Sequence, residues 1–112
     1  MLKCISRSFF LAAALLIAGT AWAGEALWVD VRSADEFNAG HVPNAVNIPH
    51  TEIADRIGEV TTDKDSRIYL YCRSGRRASF ALDTLEQMGF SDVINLRSLE
   101  NAQETYQQLN PK

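Results

Sequence analysis

The six residues Cys72-Arg73-Ser74-Gly75-Arg76-Arg77 place a thiol and three guanidinium groups in one short stretch. They follow the apolar run Ile68-Tyr69-Leu70-Tyr71 and precede a helical pattern, so strand, tight loop and helix are expected in that order. Such a loop turns successive backbone N–H groups and a helix N-terminus toward one point, which makes a cradle for an anion. A thiol at the rim of that cradle ionises readily, and the thiolate is the nucleophilic form. A helix N-terminus favours a nearby negative charge by about 0.3–1 kcal/mol, and by ~2 kcal/mol when partly buried. The three arginines are expected to supply the remainder and to draw in an anionic substrate, with no histidine base required. On that reading, replacing Arg73 or Arg76 by Gln raises the Cys72 pKa. The competing reading is an inert buried cysteine, but arginines so close to a core thiol would be hard to solvate.

The elements around this loop follow from periodicity and punctuation. Leu27-Trp28-Val29-Asp30-Val31 reads as a first strand. Ser33-Ala34-Asp35-Glu36 has the form of a capping box, opening a short helix that Gly40 ends. A turn at Pro43-Asn44 leads to a second strand over 45–48, and Pro49 closes it. A helix is expected over 51–57, with Ile53 and Ile57 one turn apart. The third strand is expected over 67–71. After the loop, Ala78, Ala81, Leu82, Leu85 and Met88 follow the spacing of a buried helical stripe, which Gly89 terminates. Phe80 falls off that stripe. A fourth strand is expected over 93–96, then a helix capped by Ser98 with Leu99, Ala102, Tyr106 and Leu109 on one face. Strands alternating with helices argue an α/β layer structure with a mainly parallel sheet flanked by helices. Sites in such sheets lie at the carboxyl ends of strands, which is where Cys72 falls.

Residues 1–23 read as a cleaved signal peptide. Lys3 and Arg7 supply the positive start, the apolar stretch over 9–18 is too short to span a bilayer, and Ala21-Trp22-Ala23 has the A-x-A form. Cleavage after Ala23 leaves one domain over 24–112, 89 residues, enough to bury roughly 60% of its unfolded surface. The mature chain has nine basic and fourteen acidic residues, a net charge of −5, which excludes general binding to nucleic acid or anionic membranes. Three of the nine cations nevertheless sit in the Cys72 loop. Without Cys4 only one cysteine remains, so no internal disulfide forms and a free reactive thiol is expected. Export is expected, with no stable membrane association after cleavage, and a monomer is the expected state.

Asp30-Val31-Arg32, Glu36-Phe37, the run from Gly40-His41-Val42-Pro43 through Asn47-Ile48-Pro49, and Tyr71 through Arg77 resemble, in order and spacing, the rhodanese (sulfurtransferase) domain. A small exported single-domain form looks like the phage-shock-protein-E type, and that resemblance implies the periplasm as its location. The resemblance implies a rhodanese-like α/β fold. It also implies that Cys72 takes sulfane sulfur from thiosulfate as a persulfide and yields it to a thiophilic acceptor such as cyanide. It implies a substrate cradle over Arg73, Ser74, Gly75, Arg76 and Arg77, and no metal or organic cofactor. Asp30 and Arg32 then read as structural partners at a strand end, and His41 as a loop hydrogen-bonder rather than half of a Cys–His dyad. His50 reads as solvated. One departure stands out: Arg97-Ser98-Leu99 occupies the place where rhodaneses usually have paired glycines, so Arg97 could narrow the pocket or add an anion contact. Two alternatives remain. One is a relay module that passes the Cys72 persulfide only to a partner protein. The other is a Cys-based phosphatase or arsenate reductase. Those enzymes place an arginine six positions after the cysteine, where this chain has Ala78.

Overall fold

A computed structural model describes residues 26–111, so the signal peptide expected over 1–23 lies outside the described residues. Four strands form one parallel sheet in the order β2-β1-β3-β4: β1 (Leu27–Asp30), β2 (Val46–Asn47), β3 (Arg67–Cys72) and β4 (Asp92–Ser98). Helix α1 (Ala34–Ala39) lies between β1 and β2, α2 (Ile53–Arg56) between β2 and β3, α3 (Arg76–Gln87) between β3 and β4, and α4 (Leu99–Leu109) follows β4.

The twofold alternation of strands sorts the core into two layers. Val29, Ile68, Leu70 and Cys72 face one side, where they meet Ile53, Ile57, Ala78, Ala81 and Leu85 from α2, its flank and α3. Trp28, Tyr69 and Tyr71 face the other, with Val42, Ala102 and the partly buried Tyr106. Small residues at positions 78 and 81 let α3 sit close on the sheet. Trp28 anchors the second layer, its ring centroid 4.5 Å from that of Tyr69 and 5.2 Å from that of Tyr106.

Several elements differ from the expected spans for local reasons. The segment expected as one helix over 51–57 is a single α-turn between two 3-10 turns, His50–Glu52 and Ile57–Glu59. Pro49 precedes it and Gly58 falls at its end, so little chain remains to propagate a helix. Ile53 and Ile57 are still both buried. The second strand shrinks to two residues, while the third runs on to Cys72. Leu109 lies at the end of α4 and is 55% exposed rather than sharing the buried face of Ala102. Phe80 is also exposed, with its nearest aromatic neighbour His50 at 6.1 Å.

The fourth strand is longer than its apolar run and carries a bulge. Leu70 pairs with Asn95 but Tyr71 pairs with Arg97, which leaves Leu96 as the extra residue. The bulge puts Arg97 in the left-handed region at φ 79°. A non-glycine residue there costs about 1–2 kcal/mol, whereas glycine would cost about 0.4–1 kcal/mol through greater freedom in the unfolded chain. Arg97→Gly is therefore expected to leave stability unchanged or raise it by about 1 kcal/mol, read from the urea midpoint. A loss of more than ~1 kcal/mol would mean that the packing of the Arg97 side chain outweighs its backbone strain.

Candidate active site

Cys72 is the last residue of β3, and strand alternation turns its thiol toward the layer occupied by α3. The chain then needs only Arg73, Ser74 and Gly75 to enter that helix. Gly75 makes the tight entry possible: it is the N-cap of α3, at φ 99°, a conformation that side chains rarely adopt. A Cβ added there would also lie 3.2 Å from Cγ of Arg97, so the stem of Arg97 closes over the loop. The Gly75 N–H donates to Cys72 Sγ at 3.0 Å.

Cys72 is 1% exposed. Burial pushes its pKa up, but the backbone N–H groups of Ala78, Gly75, Ser74 and Arg77 act against burial and bring it below the ordinary thiol value. The peptide backbone is therefore the leading influence that lowers it, ahead of the arginine side chains expected to supply the remainder. The Arg77 guanidinium feels the charge of Cys72.

Arg77 departs from expectation. Its guanidinium is not free for substrate but forked onto Glu36 of α1, with Nη1 2.8 Å from Oε1 and Nη2 3.1 Å from Oε2. The same carboxylate closes the capping box, accepting from the Ser33 N–H at 3.0 Å. Arg73, Ser74 and Arg76 are exposed on the loop. Asn95, which sequence reasoning passed over, braces the loop from β4. Its Nδ2 donates to the Gly75 carbonyl at 3.1 Å, and its Oδ1 accepts from the Arg97 N–H at 2.7 Å. A polar residue inside the apolar run of β4 was the available signal.

Asp30 and Arg32 form a buried ion pair beside the loop. Arg32 Nε lies 2.9 Å from Oδ1 and Nη2 lies 2.6 Å from Oδ2, while Nη2 also donates to the Gly40 carbonyl at 2.7 Å. The guanidinium lies over the Tyr71 ring, whose hydroxyl accepts from the Val42 N–H at 3.1 Å. Burial raises the Tyr71 hydroxyl to about 12, so it stays a phenol. His41 stacks on Phe37 with centroids 3.7 Å apart and its Nδ1 lies 2.8 Å from the Phe37 carbonyl. No hydrogen bond joins His41 to Cys72 among the described residues.

A cavity of about 340 Å³ opens at this end of the sheet, between Arg32, Cys72 and Arg73 on one side and Ser98, Glu100 and Gln103 on the other. A larger hollow of about 900 Å³ lies at the opposite end, around Trp28, Asp65, Arg67 and Asp92, and no thiol or histidine lines it among the described residues. The chemistry therefore belongs to the smaller one: a thiolate with converging N–H donors and cations nearby can attack an anionic electrophile and receive an anionic leaving group.

The family model described as "Rhodanese-like domain" matches residues 14–98. The chain is 35% identical over 74 residues to the thiosulfate sulfurtransferase PspE of Escherichia coli K12, covering 66% of this chain and 71% of that one. It is 38% identical over 73 residues to a sulfurtransferase of Allochromatium vinosum, covering 65% of this chain and 66% of that one. Among solved structures, a rhodanese with anions from E. coli superposes with a TM-score of 0.66 at 34% identity, over 69% of this chain and 91% of that one.

The Glu36–Arg77 fork gives this site a pH signature. The Arg77 guanidinium holds the Glu36 carboxyl down from 4.5 to about 2. A depressed carboxyl contributes stability that is fully present above the unfolded value and is lost as pH falls through the folded one. The thermal stability advantage of wild type over Glu36→Gln is expected to be full above 4.5 and to vanish as pH falls to about 2. An advantage independent of pH across that window would show that the ion pair contributes nothing.

Proposed function

Because the chain belongs to the rhodanese-like domain family, with sulfur transfer as its general activity, we propose that it is a thiosulfate sulfurtransferase working through a Cys72 persulfide. The observation that carries this reading is a buried sulfur held at the N-terminus of α3, accepting the Gly75 N–H at 3.0 Å, beside an open cavity. The Cys72 thiolate attacks the outer sulfur of thiosulfate. A new S–S bond forms, the donor's S–S bond breaks, and its electron pair leaves with sulfite. The outer sulfur carries its own negative charge into the persulfide, sulfite takes up the charge given by the thiolate, and total charge is unchanged. The loop N–H groups then stabilise the persulfide anion. An acceptor such as cyanide takes the outer sulfur, leaves as thiocyanate, and returns Cys72 to the thiolate.

In this reading Arg73 and Arg76 attract the donor. Arg77 acts through its backbone N–H and its fork to Glu36, so it is a positioning residue. Ser74 and Gly75 contribute N–H groups to the cradle. The reading includes export: residues 1–23 are removed and the domain over 24–112 works in the periplasm as a monomer.

Intact-mass analysis of the chain recovered from the exported fraction tests the whole reading in one spectrum. The mass is expected to begin at Gly24, to rise by one sulfur atom with thiosulfate, and to return with cyanide as thiocyanate appears. Cys72→Ser is expected to abolish uptake and turnover completely, since serine cannot hold a sulfane sulfur. Sulfur uptake that persists in that variant overturns the assignment. Uptake in wild type without turnover on small acceptors would favour the relay module.

A further inference from the structure

The Asp30–Arg32 pair is more buried than a purely electrostatic ornament needs to be, and its two halves are placed differently. Asp30 is 0% exposed and its carboxylate is consumed by the backbone N–H, Nε and Nη2 of Arg32. Arg32 is 6% exposed, yet it borders the same cavity as Cys72. Its Nε and Nη2 are engaged by Asp30 and Gly40, and Nη1 has no hydrogen-bond partner among the described residues. With Nε and Nη2 occupied, Nη1 is the guanidinium nitrogen left to donate to a ligand in the cavity that Arg32 borders.

We propose that Arg32 is a substrate-contacting residue, whose free Nη1 receives the anionic oxygens of a sulfonate-bearing donor while Cys72 engages its outer sulfur. This rests on the sulfurtransferase reading and adds the contact that recognises the donor's charged end. Asp30 is a positioning residue: the fork and the Gly40 carbonyl hold the guanidinium in one orientation. Arg73 also borders the cavity but is exposed on a free stem. A fixed cation loses little freedom on binding, and away from water its attraction for an anion is stronger than that of a solvated one. Arg32 therefore discriminates charged from neutral reactants, and the exposed arginines act at longer range.

The test compares two alkylating reagents that differ in charge. Iodoacetate and iodoacetamide both form a thioether on Cys72 and release iodide, but only the first carries a carboxylate. In Asp30→Asn/Arg32→Gln, which removes both charges together so that neither is left buried alone, the iodoacetamide rate is expected to stay near wild type. The ratio of iodoacetate to iodoacetamide rates is expected to fall, and KM for thiosulfate to rise about tenfold to a hundredfold, the loss of one charge-assisted hydrogen bond. Arg32→Lys, which keeps the charge, is expected to restore part of the ratio. A double variant that melts cooperatively with an unchanged ratio overturns the proposal.

A second measurement needs no variant. In wild-type chain labelled with ¹⁵N at arginine, sulfite is expected to shift the Arg32 guanidinium resonances. Loop amides that respond to sulfite while Arg32 does not would overturn the proposal even if the double variant failed to fold. Failure of the broader reading looks different: a reagent ratio that falls as expected, with no sulfur ever left on Cys72 by thiosulfate, supports the anion contact and rejects thiosulfate as donor.

Discussion

Everything at the active end of this protein depends on peptide N–H groups converging on the sulfur of Cys72. Burial raises the pKa of the thiol, and the N–H groups of Ala78, Gly75, Ser74 and Arg77 bring it below the ordinary value. Their convergence is a property of the chain path. β3 must end on the residue whose side chain faces α3, and the loop must then turn within three residues. Gly75 supplies the positive φ for the turn, Asn95 ties its carbonyl to β4, and the stem of Arg97 lies against it. Glu36 holds the first turn of α3 from the other side through Arg77. Each of these braces is remote from the reacting atom and acts on it by keeping the backbone where it is.

The division of labour among the arginines follows from this. Once the backbone stabilises the thiolate, guanidinium groups are free for other tasks, and the structure assigns them different degrees of constraint. Arg77 is forked to Glu36, Arg32 is buried on Asp30, and Arg73 and Arg76 stand exposed at the loop. A positive loop on a chain with an excess of acidic residues then concentrates attraction for small anions at one place. The wall opposite comes from Ser98 and the first turns of α4, including Glu100 and Gln103, and α4 lies beyond the residues matched by the family model.

The parallel sheet, the helical stripe of Ala78, Ala81 and Leu85, the Ser33–Glu36 capping box and the Ser98 cap were all legible, because each rests on short-range spacing. The loop was legible as a cradle for the same reason. What could not be read were pairings across long sequence separations. Glu36 already had a local role in its capping box, so nothing marked it as the partner of Arg77, forty-one residues away. Arg77 therefore looked like one more loop cation. Asn95 and the bulge at Leu96 depend on how β4 registers against β3, which apolar pattern alone does not specify. The relative weight of backbone and side chains at the thiol is hidden for a related reason: charged side chains are visible in a sequence, while the aim of peptide N–H groups is visible only once the backbone is folded.

The most direct test of this account is a titration of the Cys72 thiolate by its ultraviolet absorbance in the domain over 24–112, compared with Arg73→Gln/Arg76→Gln. If the backbone activates the sulfur, both proteins titrate below the ordinary thiol range and nearly together. A thiol that returns to the ordinary range when the two exposed arginines are neutralised would contradict the account and return the activation to the side chains.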